Sequence, residues 1–119
     1  MQIAPIPTLS DEINDIRLRT ADIVANRIIP NEGTIYSGGE KSKKIREEIR
    51  NEVKNQGLWA PHLPQEYGGM GNGFLEHAYM HEILAWSPLG NRLFGVIAAN
   101  SGTQNILVNF GSEEQKQKW

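Results

Sequence analysis

The stretch from Asn91 to Phe110 limits the possible folds of this chain more than any other. Leu93, Phe94, Val96, Ile97, Ala98, Ala99, Ile106, Leu107, Val108 and Phe110 leave it almost no polar side. A helix that is apolar nearly all round is expected to be buried, so this segment needs partners. The rest of the chain offers helices to provide them. Ile106-Leu107-Val108 is the one run with strand character, and no internal repeat is present.

The first predicted helix runs from about Thr8 to Ile29. Thr8 or Ser10 can cap it, Asp11 and Glu12 fall in its first turn, and Pro30 disfavours its continuation. Its inner face is Ile13, Ile16, Thr20, Ile23, Val24 and Ile28, at three-four spacing. A polar loop, Asn31 to Lys41, is expected next. Ser42 then opens a second helix with the stripe Ile45, Ile49 and Val53, and Gly57 ends it. Leu58 to Gly73 carries two prolines and several glycines and reads as irregular. A third helix starts near Leu75, carries Leu75, Ala78, Tyr79, Ile83 and Trp86, and closes at Ser87-Pro88. The prediction is an all-α fold, an orthogonal or up-down helical bundle occupying residues 1–119.

Composition removes several function classes. Apolar residues at 39%, charged residues at 22% and a net charge of −2 describe an ordinary globular chain without the basic excess of a nucleic-acid binder. The mixed charges from Lys41 to Lys54 read as a solvated helix face. With no cysteine, thiolate catalysis, disulfides and cysteine metal sites are excluded. Met1-Gln2-Ile3-Ala4-Pro5 lacks the basic and apolar regions of a signal peptide. No apolar run approaches the roughly 20 residues of a membrane span. A cytoplasmic chain without a membrane span is expected.

Three constellations carry possible chemistry. His77 and His81 stand four apart and can face one metal, but two histidines need a further ligand. Glu82 projects elsewhere and His62 lies in a distant loop, so no metal site is expected. Gly68-Gly69-Met70-Gly71-Asn72-Gly73 precedes a helix, where backbone N–H groups can hold an anion. It lacks the strand and spacing of a dinucleotide fingerprint, and positive φ angles in a tight loop explain the glycines as well. Gly95, Ala98, Ala99 and Gly102 are small residues among large ones and suit close helix packing. A ligand cavity is the sharper alternative, because Asn100, Ser101, Thr103 and Gln104 are odd in an apolar core. No catalytic residue emerges.

Gly111-Ser112-Glu113-Glu114-Gln115 is a helix-start signal. Glycine is the usual left-handed terminator of the helix before it, and Ser112 with Gln115 forms a capping box. Trp119 falls only about one turn later, and isolated short helices are marginal. The chain is therefore expected to be the front piece of a larger protein, incomplete at its C-terminal end.

Two stretches resemble the acyl-CoA dehydrogenase family. Gly57-Leu58-Trp59-Ala60-Pro61-His62-Leu63-Pro64-Gln65-Glu66-Tyr67-Gly68-Gly69-Met70-Gly71 resembles the loop after the second helix of these enzymes. Gly111 to Trp119 resembles the start of a later helix of the same domain. Between them, Glu82-Ile83-Leu84-Ala85 and Asn100-Ser101 fall where the family carries similar residues. The order holds along the whole chain and is strongest from Gly57 onward.

The resemblance implies an N-terminal helical domain followed by a middle β-domain and a C-terminal helical domain. It implies FAD, held mainly by the later domains, and an acyl-CoA substrate that loses hydrogens from its α and β carbons. A glutamate of the C-terminal domain takes the α proton, and an electron-transferring flavoprotein takes the electrons. Homo-oligomers are usual. This segment is then one wall of the acyl tunnel, with Phe94, Ile97, Ala98 and Ser101 as its lining. Some relatives with short tunnels place a larger side chain near Ala98, so alanine there implies a deeper tunnel. The alternative from another class is a stand-alone helical interaction module without catalytic activity.

Overall fold

The computed structural model describes residues 2–119, apart from the side chain of Ala98. It is helical, and no strand occurs among the described residues. No helix among them is long and apolar enough to cross a membrane.

Helix α1 spans Asp11–Ile23. Ser10 caps it by accepting the Ile13 N–H, with Asp11 and Glu12 in the first turn at the positive end of the dipole. Ile16, Thr20, Ile23, Val24 and Ile28 are buried as their spacing predicts, while Ile13 is half-buried. Two polar side chains share this burial. Asn14 accepts the Ile6 N–H at 2.8 Å and donates to the Ile6 carbonyl at 3.0 Å. Arg17 donates to the Ala4 carbonyl at 3.3 Å, so the pair straps the preceding segment along the helix.

Pro30 does not end the helical path. The path widens into a π-helical turn over Val24–Ile28 and tightens into a 3-10 turn over Ile29–Asn31. Proline then stands in the first turn of the tight segment, where its missing N–H has no partner to lose. Helix α2, Glu32–Tyr36, follows inside the expected loop. Helix α3, Gly39–Asn55, begins before Ser42. Ser42 is buried and donates to the Ile35 carbonyl at 2.8 Å, tying α3 to α2 instead of capping. Gly57 ends α3 as expected, with φ of +69°. The Leu58 N–H bonds the Val53 carbonyl and the Gly57 N–H that of Lys54, the Schellman arrangement.

Helix α4 spans Phe74–Leu84 and buries Met80, Ile83 and Leu84. Its first turn does not join the core: Phe74 and Leu75 are 86% and 66% exposed.

The segment expected as one buried helix is two. Helix α5 is Gly90–Leu93 and helix α6 is Ala98–Phe110, and Gly95 turns the chain between them with φ of +75°. Leu93, Phe94 and Val96 belong to the core with Ile28, Ile49 and Val53. Helix α6 leaves that core and buries none of its described residues. Its half-buried positions, Ser101, Gln104, Leu107 and Val108, form one stripe at helical spacing. Ile106 and Phe110 on the other side are 65% and 84% exposed. The core is completed by α1, α3, α4 and α5 before the chain reaches α6, which explains why an apolar helix remains open. Gly102 meets nothing that would require a small residue, so close packing is not formed there among the described residues.

Helix α7, Glu113–Lys118, starts on the expected capping box: Ser112 accepts the Gln115 N–H and Gln115 accepts the Ser112 N–H. Gly111 is not left-handed, however; its φ is −73°. A Cβ there would lie 2.8 Å from Leu107 Cδ1 and close to the Leu107 carbonyl, so glycine is required by space and not by conformation.

Candidate functional site

The four residues expected to line a tunnel are separated by the turn at Gly95. Phe94 lies before it and is fully buried in the core, and its carbonyl accepts the Ala60 N–H at 2.9 Å. Ile97 and Ser101 lie after it and are half-buried, Ile97 as the extended residue just before α6 and Ser101 on the helix's inner stripe. The Ile97 carbonyl accepts the N–H groups of both Asn100 and Ser101, at 2.9 and 2.7 Å, so Ile97 sets where α6 begins. The Ala98 side chain lies outside the described residues.

The loop from Leu58 to Gly73 packs beside α6 and is held by its own backbone. Leu63 bonds back to Ala60, Gly68 to Gln65, Gly69 to Pro64 and Gly71 to Leu63. Gly68 and Gly71 have φ of +82° and +67°, and a Cβ on Gly69 would strike Leu63 and the Ala60 carbonyl. The N–H groups of Gly68, Gly69, Met70 and Gly71 are all engaged within the loop, so these four donors do not cradle a phosphate. These glycines serve the turn, and their own N–H groups do not fit a dinucleotide's pyrophosphate.

This folding brings His62 back against α4, which sequence spacing could not show. The His62 and His77 ring centroids lie 6.1 Å apart and those of His77 and His81 4.5 Å apart. His62 is therefore not distant from the pair. Even so, among the described residues no group of three or more potential ligands is arranged to hold a metal ion. His62 Nε2 lies 2.9 Å from Gln104 Oε1, and with that oxygen as acceptor the imidazole donates. His62 Nδ1 and His77 Nε2 are buried without a hydrogen-bond partner among the described residues. Beyond Gln104 a cavity of about 150 Å³ lies between the loop and the two last helices, bordered by Leu63, Tyr67, Leu107, Val108 and Trp119.

Burial, then His81 and His62, lowers the pKa of His77; burial and then His62 lower that of His81. The folded chain thus binds protons at these rings less readily than the unfolded chain, whose histidines titrate near 6.5. Above that pH the rings are neutral in both states and stability is unaffected. As pH falls below it the unfolded state takes up more protons, and stability declines until the folded-state rings also charge. The urea midpoint of the chain should fall between pH 7.5 and pH 5, and His77→Gln should flatten that part of the profile. An equally steep profile in the variant would assign the decline to other groups.

A family model described as acyl-CoA dehydrogenase, N-terminal domain, matches residues 10–119. Acyl-CoA dehydrogenase family member 10 of Mus musculus is 33% identical over 78 residues, covering 61% of this chain and 7% of that protein. Acyl-CoA dehydrogenase FadE12 of Mycobacterium tuberculosis is 30% identical over 110 residues, covering 92% of this chain and 27% of that protein. Mitochondrial isovaleryl-CoA dehydrogenase of Pongo abelii is 29% identical over 116 residues, covering 93% and 26%. The chain thus spans between 7% and 27% of the length of these relatives. No solved structure matches significantly.

Proposed function

This chain belongs to the acyl-CoA dehydrogenase family, and on that premise we propose that the whole protein is an FAD-dependent oxidoreductase acting on acyl-CoA thioesters. It removes one hydrogen from each of the α and β carbons and leaves a double bond between them. The observation that carries this proposal is the match of the family's N-terminal domain over residues 10–119, together with relatives named as acyl-CoA dehydrogenases. Residues 1–119 are then the N-terminal helical domain of a cytoplasmic homo-oligomer that passes electrons to an electron-transferring flavoprotein. The glycine loop's engaged N–H groups support placing FAD on other parts of the protein. The proton-accepting glutamate is placed there too by family analogy. The 119 residues alone should be inactive and bind FAD poorly.

Within that enzyme the part of this domain is to shape the acyl site. Ile97, just before α6, and Ser101 in its first turn are both half-buried, which supports a wall built on the start of that helix. Phe94 supports the wall from within the core. Ala98 is proposed as the residue that sets depth, on the family resemblance. Ala98→Leu in the whole enzyme should shift preference toward shorter chains, by about tenfold in the ratio of kcat/KM for palmitoyl-CoA over butyryl-CoA. An unchanged ratio would remove Ala98 from the tunnel.

The direct test of the activity is to purify the whole protein and add acyl-CoA without oxygen. Flavin absorbance that bleaches is the expected result. A protein without flavin, or with flavin that no acyl-CoA from butyryl to palmitoyl reduces, would overturn the proposal. A flavin-free protein would favour the helical interaction module.

A further inference from the structure

We infer that His62 is a positioning residue for the α6 wall, holding the helix in register through its hydrogen bond to Gln104. The inference rests on the proposal that α6 borders the acyl site. Helix α6 leaves the core at Gly95 and buries none of its described side chains. Its contact with the body is a half-buried stripe. Apolar contact is non-directional, so that stripe alone lets a helix roll or slide by a fraction of a turn. A hydrogen bond is directional. Among the described residues, His62 to Gln104 is the one side-chain hydrogen bond that joins α6 to another element.

Both ends of this pin are placed to transmit position. His62 sits between Pro61 and Leu63, both buried, and its ring lies beside that of His77. On the other side, Gln104 is one turn beyond Ser101 on the same stripe, and two turns beyond Ile97, the residue from which α6 starts. A helix is stiff over that distance, roughly 10 Å from Gln104 to Ile97. Fixing Gln104 therefore fixes how Ile97 and Ser101 face the substrate, although His62 itself need not touch it.

The bond uses Nε2, which a glutamine amide at position 62 can mimic in reach and an asparagine amide cannot. His62→Ala, His62→Asn and His62→Gln should be made in the whole flavoprotein. Two quantities would be read: amide hydrogen exchange over residues 98–110 without substrate, and KM and kcat with octanoyl-CoA. His62→Ala and His62→Asn should raise exchange in α6, and raise KM more than they lower kcat, each by about three- to tenfold, the worth of one hydrogen bond. His62→Gln should restore both. Unchanged exchange in His62→Ala, or no rescue by His62→Gln, overturns the pin whatever happens to KM. Changed and rescued exchange with an unmoved KM overturns instead the placing of α6 at the acyl site, and with it the role of His62 in substrate binding.

Discussion

Phe94→Ala should lower the unfolding free energy of this chain by about 3–5 kcal/mol, the usual cost of emptying a buried phenylalanine site. Its ring is wholly removed from solvent, among Leu93, Val96 and the α1 and α3 side chains of the core. Its backbone matters too, because its carbonyl holds the Ala60 N–H at the start of the loop that carries His62. A cavity here therefore loosens the core and the loop together. Against a typical total of about 5–15 kcal/mol, the variant should be poorly folded at physiological temperature. Urea titration followed by tryptophan fluorescence would measure the loss. A loss below about 1 kcal/mol, the range of ordinary surface changes, would mean that Phe94 is no core residue and faces only the substrate.

Gly95→Ala should be the next most damaging change, for two separable reasons. At φ of +75° any Cβ crowds its own backbone, which costs about 1–2 kcal/mol. The added methyl would also lie 2.8 Å from the Trp59 ring, which must move; overpacking of this kind costs about 1–3 kcal/mol. The Lys54 ammonium also lies over the Trp59 ring, 4.6 Å from its centroid, so displacement disturbs that contact as well. The expected signature is a lower urea midpoint with an altered Trp59 emission. Trp59→Ala with Gly95→Ala should recover the overpacking share and leave the backbone share. If the double variant is no less destabilised than the sum of the two single changes, the two residues are not in contact.

Other parts of the chain mark where sequence pattern was sufficient. The stripes of α1 and α3 were legible because each has solvent on one side and core on the other, so the apolar repeat and the burial coincide. The stop at Gly57 and the start at Ser112 were legible because caps are local: their donors and acceptors lie within a few residues. The segment from Asn91 to Phe110 was misread because apolar content says that burial is favourable and not where the chain turns. At the break Gly95 turns with φ of +75° and lies against Trp59, which is far away in sequence. Pro30 was misread for a similar reason, since the π and 3-10 turns around it move the missing donor to a harmless place.

Residue types and their spacing determined that this chain is helical and which faces of α1 and α3 turn inward, and the resemblance of its motifs pointed to the family. The helices and their inward faces follow from short-range periodicity and capping. Only the tertiary structure decided that Phe94 is core while Ile97 and Ser101 lie at the start of an open helix, and that His62 reaches both His77 and Gln104. Those outcomes depend on the path of a glycine-turned loop, whose contacts span 15 to 42 positions in sequence. No local repeat encodes such distances, because the free energy that selects them comes from packing surfaces that meet only once the chain has folded.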